Sequence, residues 1–351
     1  MAVDGNKLQE LINRMFGDVG AAMGAALVLL GDKFGFYKTL AAAGPLTPAE
    51  LASKTGTVER YVREWAAQQA AAGYINYDTK SARFSISPEQ ALVLADENGP
   101  AFFPAMFEIV ACTLRDEPKV ANAFRNGGGV GWHEHDACLF SGTERFFRPG
   151  YAMHLVSEWI PALDGVREKL ESGARVADVG CGHGASVILM AKAFPKSQFF
   201  GFDYHQPSID RARELARQAG VADRATFERA TAKDYPGTFD LVAFFDCLHD
   251  MGDPVGAAAH VKSSLAKDGT WMVVEPFGND RLEDNLNPIG RVFYAASTMI
   301  CVPGSLSQEV GKGLGAQAGE ARLTEVLKAG GFTKVRRATA TPFNLVLEAR
   351  P

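Results

Sequence analysis

Apolar residues recur along this chain with two different periods, and the change of period divides it. Up to about residue 95 they return every three to four positions, the spacing of a helix face. Residues 19–30 form an Ala-, Gly- and Leu-rich run in which backbones can approach closely. Gly44-Pro45 breaks the pattern. Thr47-Pro48-Ala49-Glu50 then reads as a helix start, with Thr47 as N-cap, Pro48 at the first position and Glu50 closing a capping box. Gly56 ends that helix and Thr57 is expected to cap the next, which runs from Val58 towards Ala72 with Tyr61, Trp65, Ala66 and Ala72 on a helical period. After the stop at Gly73, residues 74–77 and 84–86 flank a polar turn and predict a hairpin. Helix, turn, helix and hairpin make a winged helix.

Residues 96–165 carry many aromatics, among them Trp132, Phe146, Phe147 and Tyr151, and read as linking helices. Most of these rings are best explained as helical core, the usual place for aromatics. From about residue 166 strand and helix patterns alternate, which implies a parallel sheet. Strands are expected at residues 175–179, 198–202, 225–228, 239–245 and 270–274, with helices between them. Residues 239–245 are nearly all apolar, as in a strand buried on both faces. Two last strands at 333–339 and 344–348, parted by Pro342, suggest an antiparallel edge.

Length and composition narrow the picture further. The chain of 351 residues is long enough for two domains, and 47% hydrophobic with 22% charged residues is ordinary for a globular protein. A net charge of -5 argues against a generally basic, nucleic-acid-binding surface. None of the five cysteines forms a C-x-x-C pair, so no zinc site or redox dithiol is suggested, and free thiols in a cytoplasmic protein are the simplest reading. The N-terminus lacks the pattern of a signal peptide, and the apolar run from residue 19 to 31 is shorter than the ~20 residues that span a bilayer. No membrane association is expected.

The strongest chemical signal is Asp178-Val179-Gly180-Cys181-Gly182-His183-Gly184-Ala185, where a strand ends in glycines and opens into a helix. Glycines let the backbone turn sharply and let a ligand lie against it, and the helix N-terminus presents unpaired N–H groups. Gly180, Gly182 and Ala185 also match the dinucleotide fingerprint G-x-G-x-x-A. Asp203, at the end of the second strand, is placed to bind ribose hydroxyls, which indicates a nucleoside but not which one. Asp178 lies inside the first strand, and a second carboxylate there suits a cationic amino-acid tail better than a pyrophosphate.

This stretch resembles motif I of the class I S-adenosylmethionine-dependent methyltransferases. The similarity continues through Gly201-Phe202-Asp203-Tyr204, the 230–234 stretch, Phe239-Asp240-Leu241-Val242, Glu275-Pro276 and the residues 329–335. The N-terminal module and aromatic linker resemble the dimerising domain of small-molecule O-methyltransferases. The whole chain is similar to a group of bacterial winged-helix-bearing methyltransferases. The resemblance implies an α/β chain: a winged-helix domain over residues 1–95, a helical linker over 96–165 lining the acceptor pocket, and a Rossmann-like seven-stranded methyltransferase domain over 166–351. It implies S-adenosylmethionine as cofactor, a homodimer and a small-molecule acceptor, with O- or S-methylation favoured. Gly180, Gly182 and Gly184 would pass the methionine part of the cofactor, and Asp178 would anchor its ammonium. Asp203 would bind the ribose, Tyr204 the adenine, Thr231 and Ala232 the adenine edge, and Asp246 and Cys247 would flank the methionine. Thr231 stands where the family usually has an acidic residue.

His249 lies in Cys247-Leu248-His249-Asp250-Met251, which resembles the H-D-W segment of O-methyltransferases whose histidine is the general base; Met251 replaces the tryptophan. An imidazole titrates near neutrality and can take a hydroxyl proton. A helix-capping or ligand-contacting histidine fits the position equally well. Glu275 is a candidate to orient it. Trp132, His133, Phe146, Phe147 and Tyr151 are the candidates for contact with the acceptor. Trp132-His133-Glu134-His135-Asp136 invites a metal, but it follows a Gly-rich loop with no further ligand cluster, and a pocket rim is the better reading. Two competing functions remain. One is a nicotinamide-dependent oxidoreductase sharing the glycine loop. The other is a DNA-binding regulator that senses S-adenosylmethionine, which is disfavoured because Arg60 and Arg63 are balanced by Glu59 and Glu64, so no specific nucleic-acid binding is expected.

Overall fold

The computed structural model describes residues 2–99 and 101–351. It divides into two compact units, one of residues 1–112 and 141–149, the other of 113–140 and 150–351.

The first unit opens with α1 (Gly5–Lys33), capped by Asp4, whose carboxylate accepts from the backbone of Asn6 and Lys7. At 29 residues it is far longer than the apolar run that predicted it. Lys7, Glu10, Arg14 and Asp18 recur at three- and four-residue spacing, so one polar stripe interrupts the sequence pattern without interrupting the helix. By length and composition alone α1 is long and apolar enough to cross a membrane, which removes the length argument made from the sequence; the charged stripe marks it as amphipathic.

The helices α2 (Phe36–Ala43), α3 (Pro48–Thr55) and α4 (Glu59–Ala71) follow, then the wing strands β1 (Asn76–Asp78) and β2 (Arg83–Ser85) and helix α5 (Pro88–Leu94). The Thr47–Glu50 capping box forms as expected. Val58, not Thr57, is the N-cap of α4; the Thr57 hydroxyl pairs instead with Thr55 Oγ1 at 2.9 Å. Leu46 makes an isolated antiparallel bridge to Phe84 on the far side of β2 from β1. The core of this unit packs Phe36 and Tyr37 at steep angles against Trp65, and the Trp65 indole donates to the Leu27 carbonyl at 2.8 Å. Gly31 permits this packing: a Cβ there would lie 2.5 Å from the Tyr37 ring.

Residues 96–165 are mostly helical, with α6 (Pro104–Asn126), a single 3-10 turn at Trp132–Glu134, α7 (Cys138–His154) and a π-helical turn at Leu155–Trp159. Cys112 and Cys138 are disulfide-bonded, contrary to the expectation of free thiols throughout; Cys181, Cys247 and Cys301 are free.

The second unit is built on a seven-stranded sheet. Its elements are α8 (Val166–Ser172), β3 (Arg175–Val179), α9 (Ala185–Ala193), β4 (Gln198–Asp203), α10 (Gln206–Gln218), β5 (Ala225–Arg229), β6 (Phe239–Phe245), α11 (Pro254–Ser264), β7 (Leu265–Pro276), α12 (Pro288–Ala296), α13 (Val302–Leu306), α14 (Gly319–Ala329), β8 (Lys334–Ala340) and β9 (Asn344–Arg350). The strand order is β5-β4-β3-β6-β7-β9-β8, with β9 antiparallel to both neighbours and the remaining pairs parallel. The order reverses between β3 and β6, which opens a crevice at their C-terminal ends where ligands bind in such sheets. Val242, Ala243 and Phe244 of β6 are wholly buried, as their unbroken apolar run requires. The segment between β7 and α14 was not read from the sequence as regular structure; it holds α12, a π-helical turn at Ser297–Cys301 and α13.

Candidate active site

The glycine loop leaves β3 at its C-terminal end. Gly180, Gly182 and Gly184 take φ of 78°, 51° and 78°, a region that L side chains adopt only with strain. Two of them also need the space: a Cβ on Gly180 would meet Cys247 Sγ at 2.8 Å, and one on Gly184 would meet the Phe227 ring at 2.5 Å. Cys247 thus packs directly on the loop, with its thiol directed at the Val179 carbonyl at 3.3 Å.

Two carboxylates flank this loop. Asp203 spans it from β4, accepting from the Gly182 N–H at 2.9 Å and the His205 N–H at 2.8 Å. Burial pushes its carboxyl above the usual range. Asp178 is buried in β3; Ser186 donates to its Oδ2, and its Oδ1 has no hydrogen-bond partner. Burial raises the Asp178 carboxyl to about 7, opposed by the Ser186 hydrogen bond and assisted by the neighbouring Asp203 charge. A buried carboxylate oxygen with nothing donating to it is a site for a cation or a donor from a ligand.

Beyond β6 the chain turns through Asp246, a non-glycine residue at φ 50°. Tyr151 donates to its Oδ2 at 2.9 Å and Asn344 of β9 to its Oδ1 at 2.9 Å, and these two bonds hold the strained residue. Burial and the charge of Glu275 raise its carboxyl to about 8. Three residues on, His249 is 3% exposed. Its Nδ1 lies 2.5 Å from Glu275 Oε2 at the end of β7, and the other Glu275 oxygen accepts from the Leu248 N–H at 2.8 Å. Its Nε2 faces Asp250 Oδ1 at 3.2 Å and the Cys301 thiol. Burial opposes a charged imidazole here, but Glu275 and Asp250 together outweigh it and hold His249 well above the usual histidine range.

The 3-10 turn closes over this cluster within the second unit. Trp132 Nε1 donates to Asp250 Oδ2 at 3.1 Å, and the His133 backbone N–H donates to the Tyr204 phenol. Tyr204 is otherwise half-exposed at the end of β4. Thr231 is held in an exposed turn by Asp234, through its hydroxyl at 2.8 Å and its N–H at 2.6 Å, and Ala232 packs against the sheet core beside it. Phe146 and Phe147 lie in the first unit, where Phe146 meets Phe103 edge-on. The structure therefore gathers the predicted loop, Asp178, Asp203, Asp246, Cys247, His249 and Glu275 around the crevice, with Trp132 and Tyr151 attached to it. Asn344, Asp250 and Cys301 were not singled out. Asp250 was within reach, since it adjoins His249 in sequence; Asn344 and Cys301 come from distant elements whose approach no local pattern signals.

Residues 170–329 match the family model described as a methyltransferase domain, and residues 22–96 match an Rv2258c-like winged HTH domain. The chain carries a methyltransferase domain. Over 139 residues the chain is 37% identical to a 27-O-demethylrifamycin SV methyltransferase of Amycolatopsis mediterranei, covering 37% of this chain and 51% of that one. It is 32% identical over 132 residues to a ubiquinone biosynthesis O-methyltransferase of Bordetella parapertussis, covering 37% and 52%. The chain thus spans about half the length of these two curated relatives and a smaller share of others. Its fold is similar to that of mitomycin 7-O-methyltransferase, with a TM-score of 0.71 at 20% identity over 99% of this chain and 100% of the other. It is likewise similar to human N-acetylserotonin methyltransferase in complex with S-adenosylmethionine, with a TM-score of 0.69 at 17% identity over 100% and 99%. The methyltransferase domain implies S-adenosylmethionine, and the residues present fit it: the unpartnered Asp178 Oδ1 suits its ammonium, and the loop side of the Asp203 carboxylate suits its ribose.

Proposed function

We propose that this protein transfers a methyl group from S-adenosylmethionine to a hydroxyl of a small, partly apolar acceptor, with a thiol as the next most suitable nucleophile. The observation that carries this reading is the pair of carboxylates, buried Asp178 and partly buried Asp203, on either side of the glycine loop. Bound there, the cofactor supplies an electrophilic methyl. Asp178 holds the amino-acid end and Asp203 the ribose. Cys247 and the loop backbone fix the path between them. Tyr151 and Asn344 hold Asp246 rigid beside that path. In its neutral form His249 takes the acceptor's proton at Nε2, the nitrogen that Asp250 faces, while Glu275 holds Nδ1 and stabilises the imidazolium. Keeping the partners at near-attack distance in a dry site supplies much of the acceleration.

The nicotinamide alternative is weakened by Asp178, since a buried carboxylate repels a pyrophosphate. The DNA-regulator alternative is weakened on α4, where Arg60 pairs with Glu64 and Arg63 with Glu59, leaving a neutral face. Calorimetry is expected to show S-adenosylmethionine and S-adenosylhomocysteine binding more tightly than NAD, and a labelled-methyl screen over phenols, thiols, amines and carboxylates to yield a methylated hydroxyl compound. Tighter binding of NAD would sink the reading.

The chain is also proposed to form a homodimer through α1. Leu8, Leu11, Met15, Phe16, Val19 and Met23 leave a long apolar stripe in water, with Phe16 75% and Met23 74% exposed. A surface of this kind is rare on monomers. Light scattering is expected to give a dimer at micromolar concentration, and Phe16→Glu with Met23→Glu to give a folded monomer. A wild-type monomer, or a dimer indifferent to both charges, overturns this.

A further inference from the structure

The segment from Trp132 to Asp136 takes no chemical part in the proposed transfer, yet it holds a buried side chain with an unmet hydrogen-bonding requirement. His135 is 7% exposed, and its Nδ1 lies 2.8 Å from Asp116 Oδ2. Asp116 is buried too. Its Oδ1 accepts from Lys119 Nζ at 2.7 Å, and its Oδ2 also accepts from the Asp136 N–H at 3.0 Å. Burial pushes the Asp116 carboxyl up, but these donors together hold it below its usual range. An ionised carboxylate only accepts, so the hydrogen of the His135–Asp116 bond resides on Nδ1. In the neutral ring Nε2 is then a bare lone pair. It is buried and has no partner. Polar atoms in that state are few in folded proteins, and each calls for a group to satisfy it.

The location of the ring says what kind of group. His135 sits beside Trp132, with ring centroids 6.4 Å apart, and the Trp132 indole is bonded to Asp250 next to His249. Phe140 meets the Trp132 ring edge-on at 5.8 Å and stacks on His205 at 4.4 Å. The segment is firmly seated: the Val130 N–H donates to the Pro303 carbonyl at 3.0 Å, and Gly304 of α13 lets the indole lie against the backbone. The Trp132 indole thus neighbours both the unpartnered acceptor at His135 and Asp250, which adjoins His249.

We infer that His135 Nε2 receives a hydrogen bond from a second hydroxyl of the methyl acceptor, remote from the one methylated, and so selects flat ring compounds bearing two hydroxyls. Asp116 and Lys119 act behind His135 as positioning residues that fix its tautomer. The inference rests on the reading of the site as a methyltransferase centre. It adds a selectivity that reading does not require.

The test uses the full chain saturated with S-adenosylhomocysteine. Hydroquinone and resorcinol are each compared with phenol by calorimetry. The wild type is expected to bind at least one diol about tenfold more tightly than phenol, the worth of one hydrogen bond. His135→Leu is expected to remove that preference, and His135→Gln, whose amide oxygen still accepts, to keep part of it. Affinity for S-adenosylhomocysteine should be equal in all three. Because a buried substitution can disturb folding, nitrogen NMR of the wild type gives a second reading. Ligand-free His135 should carry its proton on Nδ1, and the preferred diol should shift Nε2 while phenol does not. Four results overturn the inference: no preference for a diol in the wild type, a preference that survives His135→Leu, a protonated Nε2, or an Nε2 that the diol leaves unmoved, as a buried water alone would. A chain that binds S-adenosylhomocysteine but does not discriminate loses only this inference. A chain that fails to bind S-adenosylhomocysteine loses the parent reading first.

Discussion

Replacing His249 with alanine is expected to slow single-turnover methyl transfer to a hydroxyl acceptor by roughly 10²–10⁴-fold, the usual range for a lost general base, with little change in cofactor affinity. The pH dependence carries more information than the loss. Glu275 at 2.5 Å and Asp250 at 3.2 Å keep the wild-type imidazole protonated well above the ordinary histidine range. The accepting form is the neutral ring, so the wild-type rate should climb as pH rises through neutrality into the alkaline range. The alanine variant should lose that climb. Glu275→Gln removes the charge that stabilises the imidazolium, so its climb should begin at lower pH while its maximal rate falls. Single-turnover rates against pH for the three proteins check this. A variant with an unchanged rate and the same profile would return His249 to a purely positioning role.

Cofactor binding is expected to release protons. In the ligand-free fold Asp178 titrates at about 7 and Asp246 at about 8, because burial disfavours their charged forms. A cationic ligand favours the carboxylates, so both values should fall on binding. Below pH 7 the ligand must first displace a proton, and affinity should weaken as pH drops. It should rise through pH 7–8 and level off above. Asp178→Asn should bind weakly at all pH values and lose the lower part of this slope. Asp203→Ala should lose about 1.5–3 kcal/mol, as expected when hydrogen bonds to a charged group are removed, which is about 10- to 150-fold in affinity. Calorimetry in buffers of different ionisation enthalpy measures the protons directly. Binding that releases none at pH 7 would count against Asp178 as the ammonium's partner.

Most of the second unit could be read from the sequence because its signals are local. The glycine loop, Asp203 at a strand end and the apolar run of β6 each announce themselves within a few residues, and β7 extends from the predicted 270–274 to Leu265–Pro276 without changing its place. What stayed hidden depends on long-range packing. The length of α1 was masked because its charges at 7, 10, 14 and 18 share a stripe rather than end the helix. His135 gave a weak metal signal from its neighbours, whereas its actual partner, Asp116, lies 19 residues back on α6. Cys301 reaches His249 from a π-helical turn, an irregularity that no residue pattern foretells.

The position of β9 bears on how the protein comes into being. It follows β8 in sequence but inserts between β7 and β8, and its residues are almost all buried. During synthesis β3 to β7 precede the β8–β9 hairpin by residues 277–333, so β7 waits with an open hydrogen-bonding edge until that hairpin docks. Such edges invite aggregation, and pairings between distant segments form slowly. Asn344, the first residue of β9, also delivers one of the two side-chain hydrogen bonds that hold Asp246. The turn at Asp246 is therefore fully braced only when this strand threads home, and until then the crevice beside it is unfinished.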